Sequence, residues 1–207
     1  MDRERLIRLF NERGEQTATT VITGTDEVLL GTVELNLEQM PRLPLRPASV
    51  LMALVDRPEG LSVLLTRRRD DLAHHAGQVS FPGGTAEPTD KSPLDTALRE
   101  TEEEIGLDRS RIEIIGRLGD YVTKSGFKIA PFVGLVEPPF ELTPCPHEVA
   151  EVFEVPLSFI LDTANHRLIE RKNSVNLKTY EMTHGTYRIW GITAAMIVSF
   201  VELVGRP

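Results

Sequence analysis

The stretch from Phe81 to Leu107, FPGGTAEPTDKSPLDTALRETEEEIGL, constrains this chain more than any other. A Gly-Gly turn leads into a polar loop, the loop leads into a helix, and Gly106 ends the helix. Ser92 suits the N-cap and Pro93 the first helical position, and Asp95 stands three residues after the cap, as in a capping box. Leu94, Leu98, Thr101 and Ile105 follow at spacings of four, three and four, which makes one mostly apolar face for a core. Glu100, Glu103 and Glu104 share a different face, and Arg99 lies one turn before Glu103, within pairing reach. Glu102, Glu103 and Glu104 crowd the last turn, where the helix dipole favours cations. Neighbouring like charges also repel by about a few tenths of a kcal/mol per pair. Two readings stay open at this point. The run is a solvated acidic face, or it is a carboxylate set whose repulsion a divalent cation offsets. Mg2+ takes carboxylate oxygens and usually contacts substrate phosphates too.

Either side of this stretch the pattern alternates between strand and helix. Residues 4 to 13 form a short helix with Leu6 and Phe10 one turn apart. Residues 17 to 35 lean towards strand, and 36 to 47, with three prolines, read as a linker or extended approach. Ser49 to Val55 and Leu61 to Thr66 are apolar strands joined by the turn Asp56 to Gly60, a hairpin. Gln78 to Phe81 is a short strand before the Gly-Gly turn. Arg111 to Val122 and Phe127 to Val136 are two more, and Pro131 places an edge or a bulge in the second. Pro138 to Pro146 is a proline-rich loop. Val152 to Val155 is a strand and Leu157 to Leu161 a short helix. Residues 167 to 190 hold two strands around His184-Gly185, and Gly191 to Val204 closes the chain as an apolar helix. Strands around a central helix, then a final helix, predict a mixed sheet flanked by helices, an α/β/α sandwich. The expected organisation is an N-terminal segment, 1 to 47, packing on a core domain, 48 to 207.

Composition narrows the function classes. A chain of 207 residues with a net charge of -8 is unlike the basic domains that bind nucleic acid. It still admits a small anionic substrate if a metal supplies local positive charge. Cys145 is the single cysteine, so no internal disulfide forms, which fits a reducing cytosol. The first residues lack the apolar core of a signal peptide, and no apolar run approaches ~18 residues, so no membrane association is expected.

Gly84, Arg99-Glu100, Glu103-Glu104 and Gly106-Leu107 closely resemble the Nudix box, G-x5-E-x7-R-E-U-x-E-E-x-G-U, where U is aliphatic. Asp90 stands where the first Glu would be, and one extra residue separates it from Arg99. Thr101 replaces the aliphatic residue. The resemblance implies a Nudix-type α/β/α sandwich and a hydrolase dependent on Mg2+ or Mn2+. It implies Glu100, Glu103 and Glu104 as metal ligands, with the backbone carbonyl of Gly83, and Arg99 as the residue orienting a carboxylate. Hydrolysis of a diphosphate needs charge neutralisation, an activated water and in-line geometry, which such a carboxylate set can organise. A further acid commonly lies outside the box in this family. Glu148, as metal ligand or general base, and Glu151 are the nearest choices, with ordinary loop acids as the alternative.

Leu64-Leu65-Thr66-Arg67-Arg68 and Gly77-Gln78-Val79-Ser80-Phe81-Pro82-Gly83-Gly84 are similar to the signature L-L-T-x-R-[SA]-x3-R-x3-G-x3-F-P-G-G. That signature marks the coenzyme A pyrophosphatase branch of Nudix hydrolases, and Trp190 to Ala194 also looks like that branch. Arg69 replaces the small residue and Ala73 an arginine. The resemblance implies a nucleoside diphosphate derivative as substrate, coenzyme A favoured, with the matching residues Arg68, Gly77 and Phe81 as its contacts. Arg67, Arg69 and His74 join them as neighbouring side chains suited to phosphate, although a pair of loop histidines such as His74-His75 is more often structural or exposed. Guanidinium groups bind phosphates in bidentate fashion, although strand-end arginines are also common surface charges. ADP-ribose or another nucleoside diphosphate derivative is the alternative substrate, and a non-catalytic nucleotide-binding module the alternative class. Dimers are common in the family; no residue here demonstrates one.

Overall fold

The computed structural model describes residues 1–13, 20–22, 44–123, 125–173 and 175–205. In chain order the elements are α1 (Arg3–Arg13), β1 (Thr20–Ile22), β2 (Arg46–Arg57), β3 (Gly60–Arg68), β4 (Val79–Ser80), β5 (Gly83–Thr85), α2 (Pro93–Ile105), β6 (Ile112–Arg117), β7 (Tyr121–Thr123), β8 (Phe127–Val136), β9 (Val149–Pro156), α3 (Leu157–Leu161), β10 (Arg167–Asn173), β11 (Val175–His184), β12 (Tyr187–Trp190) and α4 (Gly191–Gly205). Among the described residues, nine strands form one mixed sheet ordered β1-β7-β8-β2-β3-β4, with β5 on β2, β6 on β8 and β9 on β3. The β1–β7 and β2–β8 pairs are parallel and the others antiparallel. Strands β10, β11 and β12 make a second, smaller sheet.

The apolar runs of β2 and β3 form the sheet's centre because they are buried on both faces. Alternate side chains point to opposite sides. Leu51, Ala53, Val55 and Leu64 meet Ala97, Ile105 and Leu107 under α2. Met52, Leu54, Val63 and Leu65 face the cluster holding Leu6 and Phe10 of α1 and Ala195, Ile197 and Phe200 of α4. Helix, sheet and helix therefore stack as an α/β/α sandwich with a mixed sheet. Helix α4 is apolar almost all round because β11, β12, α1 and α3 enclose it.

Several elements differ from the sequence reading, each for a local reason. The Gly-Gly pair is a strand, β5, pairing with β2 through Ser49↔Gly84 and Val50↔Gly83. The expected single strand from Arg111 divides into β6 and β7. Pro131 is neither on an edge strand nor at a bulge of β8. It lies where the neighbour of β8 changes from β7, paired at 128–129, to β6, paired at 132–136, so no ladder bond needs its missing N–H. The region from 167 to 190 holds three strands, with the last turn after His184. Of the strand expected in 17 to 35, β1 is described; the rest, and the linker up to residue 43, lie outside the described residues. The end of that linker, Arg46 and Pro47, already belongs to β2.

Helix α2 starts as its sequence predicts: Ser92 Oγ accepts from the Asp95 N–H at 3.1 Å. An N-cap of this kind is worth about 1 kcal/mol. The reciprocal bond runs from the Lys91 N–H to Asp95 Oδ2 at 3.1 Å, one residue ahead of the cap. Its core face comprises Leu94, Ala97, Thr101 and Ile105, while Leu98 stays partly exposed outside the cluster. Thr101 is accommodated because its hydroxyl donates to the Ala97 carbonyl at 2.7 Å.

Candidate active site

The acids of α2 have sharply different surroundings. Glu102 is held by Arg109, whose Nε and Nη2 lie 2.7 and 2.6 Å from Oε2, and this keeps its carboxyl below the ordinary range. Glu103 is mostly exposed and takes Arg99 Nη1 at 2.8 Å. Glu104 is buried, and that burial pushes its carboxyl up to about 7. The Gly83 N–H, 3.2 Å from Oε2, and Arg68 Nη1, 3.7 Å from Oε1, offset only part of the cost. Glu100 is also raised, first by burial, and Arg99 Nη2 at 3.0 Å opposes the shift. Two acids thus have outward arginine partners, and two face inward with too little positive charge. The helix end is closed by backbone donors rather than cations. The N–H groups of Gly106, Thr143 and Cys145 donate to the carbonyls of Glu102, Ile105 and Glu104 at 2.9, 2.8 and 2.8 Å.

Asp90 explains how the altered loop keeps this geometry. Its carboxylate receives Arg99 Nε at 2.9 Å and Nη2 at 3.0 Å, the Thr96 hydroxyl at 2.9 Å and the Glu87 N–H at 2.8 Å. These donors hold its pKa far below the usual carboxylate range, the Arg99 fork first. A shorter acid one residue further from Arg99 still closes the fork. Arg99 Nη2 also donates to the Thr85 carbonyl at 3.1 Å, tying α2 to β5. The glycines of β5 are packed accordingly. A Cβ on Gly83, whose φ is 151°, would come within 2.3 Å of the Ser49 carbonyl, and one on Gly84 within 2.5 Å of the Glu100 carboxyl.

A cleft of about 640 Å³ opens beside this surface. Glu100, Glu104, Glu148, Arg68, Gly83, Gly84, Phe81 and His75 line it, with an apolar wall that includes Val50, Phe127, Ile129, Trp190 and Ile192. Of the residues expected from sequence, Arg67, Arg69, His74, Gly77, Arg99 and Glu103 are not in its lining. Arg67 is drawn to Asp70 at 2.9 Å and faces Glu151 at 3.9 Å. Arg69 forks onto Asp71 at 2.7 and 2.6 Å. Gly77, with φ at 68°, shapes the loop. Arg68 enters the cleft, and among the described residues its Nε is the buried side-chain nitrogen without a hydrogen-bond partner. Between the two loop acids the structure distinguishes clearly: Glu148 lines the cleft and raises the carboxyls of Glu100 and Glu104, while Glu151 accepts from the Tyr187 hydroxyl outside it. Phe127 and Ile129 carry no motif and were not foreseeable as site residues, and Ile192 and Thr193 fall within the C-terminal resemblance. Trp190 was visible only within the C-terminal resemblance.

A model of the NUDIX domain matches residues 45–173, from the start of β2 to the end of β10. The chain is 38% identical over 160 residues to the uncharacterized Nudix hydrolase NudL of Photorhabdus laumondii, covering 77% of this chain and 85% of that protein. It is 42% identical over 158 residues to that of Yersinia enterocolitica, covering 76% and 80%. The chain belongs to the Nudix family. A Nudix hydrolase structure from Alicyclobacillus acidocaldarius shares the fold at a TM-score of 0.50 and 18% identity, over 78% of this chain and 93% of that one. Nudix enzymes generally use divalent metals such as Mg2+ or Mn2+. Among the described residues, no three acidic, histidine or cysteine side chains already stand at metal-holding spacing. The donor chemistry nevertheless fits: hard carboxylate oxygens, two of them in groups whose ionisation burial disfavours and whose nearest cation is only an arginine. Among the described residues no helix is long and apolar enough to cross a membrane.

Proposed function

We propose that this Nudix hydrolase cleaves the diphosphate of coenzyme A or a derivative, giving 3′,5′-ADP and 4′-phosphopantetheine or its acyl form. The supporting observation is a single cleft in which Glu100, Glu104, Glu148 and Arg68 meet an apolar wall of Phe127, Ile129, Trp190 and Ile192. A diphosphate joined to an aromatic base and an arm with methyl and methylene groups matches both kinds of lining. Glu100, Glu103 and Glu104 would hold Mg2+ or Mn2+ together with the Gly83 carbonyl. Once bound, that cation neutralises phosphate charge and makes an attacking water more acidic. Arg99 orients Glu100 and Glu103 through charge-assisted pairs. Arg68, which lines the cleft, offers its guanidinium to a phosphate oxygen. Glu148 takes the proton of the water as its oxygen bonds to phosphorus, and the bridging oxygen departs with the other phosphate. A small substrate of this kind calls for neither a nucleic-acid surface nor a membrane, and we place the reaction in the cytosol.

ADP-ribose or another nucleoside diphosphate derivative is the second reading, favoured by Ala73 where the branch signature has an arginine. The experiment is to incubate the purified chain with coenzyme A, ADP-ribose and NADH in Mg2+ or Mn2+ and separate the products chromatographically. Release of 3′,5′-ADP from coenzyme A at the highest rate is the expected result. Far faster turnover of ADP-ribose refutes the substrate, and no turnover of any diphosphate favours a binding module.

A further inference from the structure

Glu148 lies on the turn just before β9, at the end of a segment without helix or strand that runs from 137 to 148. One side of that segment is anchored to α2 through the Thr143 and Cys145 N–H groups, and the Glu148 and Val149 N–H groups fold back on the Cys145 carbonyl at 3.1 and 2.9 Å. The other side is held by Arg69. Its backbone N–H donates to the Glu148 carbonyl at 3.1 Å, and its Nη1 donates to the Pro146 carbonyl at 2.6 Å. The rest of the guanidinium is fixed by the fork onto Asp71.

We propose that Arg69 is a positioning residue for Glu148, acting through the Pro146 carbonyl, with Asp71 aligning the guanidinium. The small residue that the branch signature has here could not reach across to that carbonyl. A planar guanidinium can serve a carboxylate and a carbonyl at once, because its five donors point in fixed directions. Its position also argues against direct substrate contact: Nε, Nη1 and Nη2 are already engaged, and Arg69 is absent from the lining of the cleft. The pairing of β3 with β9 supports the same role. Its register shifts between Arg67 and Arg68, which pair with Glu151 and Val149, so the ladder is irregular beside Glu148 and needs a side-chain tie.

This inference rests on Glu148 working in the proposed hydrolysis. The test compares Arg69→Ala and Arg69→Lys in the full chain, each alone and with Glu148→Gln, using the diphosphate that wild type cleaves best. Arg69→Ala is expected to lower kcat roughly tenfold, the scale of lost second-layer support, with KM nearly unchanged. Arg69→Lys, which keeps one donor for Pro146, recovers part of the rate. In the Glu148→Gln background Arg69→Ala costs nothing further, because both changes act on one group. A raised KM with unchanged kcat would make Arg69 a substrate contact and overturn the proposal, as would additive losses. If wild type cleaves no diphosphate, the proposed reaction fails separately, and amide exchange at Glu148 and Val149 decides the tie. Faster exchange in Arg69→Ala supports it; unchanged exchange refutes it.

Discussion

Glu104→Gln should make the metal-free protein more stable while removing its activity. Glu104 is 5% exposed, and burial lifts its carboxyl from an ordinary value of 4.5 to about 7. The folded state therefore binds this proton more tightly than the unfolded chain does. The stabilisation from that proton is fully present below about pH 4.5 and is lost as pH rises through about 7. A shift of this size corresponds to about 3 kcal/mol once the group is ionised in both states. Glutamine keeps an oxygen for the Gly83 N–H and has nothing to ionise. In EDTA, the stability of the variant relative to wild type should rise by about 2.5 kcal/mol between about pH 5 and about pH 8.5. For a chain of this size that corresponds to a relative gain of roughly 5–10 °C in Tm. Differential scanning calorimetry across that pH range reads it directly. Saturating Mn2+ should reverse the order at high pH, since a cation that binds the folded state stabilises wild type by mass action. A stability difference independent of pH in EDTA would refute the reasoning, because it would mean that Glu104 is not ionising against its burial.

Glu100→Gln and Glu103→Gln should each lower kcat by orders of magnitude, with Tm little changed for the exposed Glu103; unchanged rates in both would sink the ligand assignment. Asp90→Asn removes the charge that clamps Arg99 and should lower kcat by roughly ten- to a hundredfold with little change in KM, as read by steady-state kinetics. Gly83→Ala forces a Cβ against the backbone of β2 at a φ of 151° and should cost about 1–3 kcal/mol in denaturant unfolding. Gly84→Ala instead pushes on the end of a side chain, Glu100, so its expected effect is weaker Mn2+ binding by titration calorimetry, with most of the stability retained.

The α2 region was legible because its signals are local. A cap, a proline at the first turn, a 3.6-residue apolar period and a terminal glycine all act within a few residues of one another. The layer architecture was legible for a related reason: β2 and β3 are apolar on both faces, which only a central position in a sheet satisfies. What the sequence concealed depends on distant pairing. Gly83 and Gly84 look like a turn in sequence and become a strand because β2 is there to pair with them. Pro131 looks like an edge residue and sits inside the sheet because two strands share one side of β8. The three consecutive arginines are indistinguishable in sequence, yet strand alternation and the local acids Asp70, Asp71 and Glu151 leave only Arg68 lining the cleft. Phe127 and Ile129 carry no mark of a site, because their role arises from where β8 begins.

The departures from the box consensus have a common consequence. Asp for Glu at position 90 shortens the acid, the extra residue before Arg99 lengthens the loop, and together they still close the fork on Arg99. That fork commits Arg99 strongly to Asp90, so Arg99 cannot move over to neutralise Glu104, and no other cation than Arg68 approaches that carboxyl among the described residues. Helix α2 thus separates its charges by function. Glu102 is tied to Arg109, and Glu103 stands on the exposed flank of the proposed cation site with Arg99 beside it, whereas Glu100 and Glu104 are left under-compensated at the cleft. An excess of buried negative charge lowers stability in the metal-free protein and raises affinity for a divalent cation, and a single substitution, Glu104→Gln, should expose both effects at once.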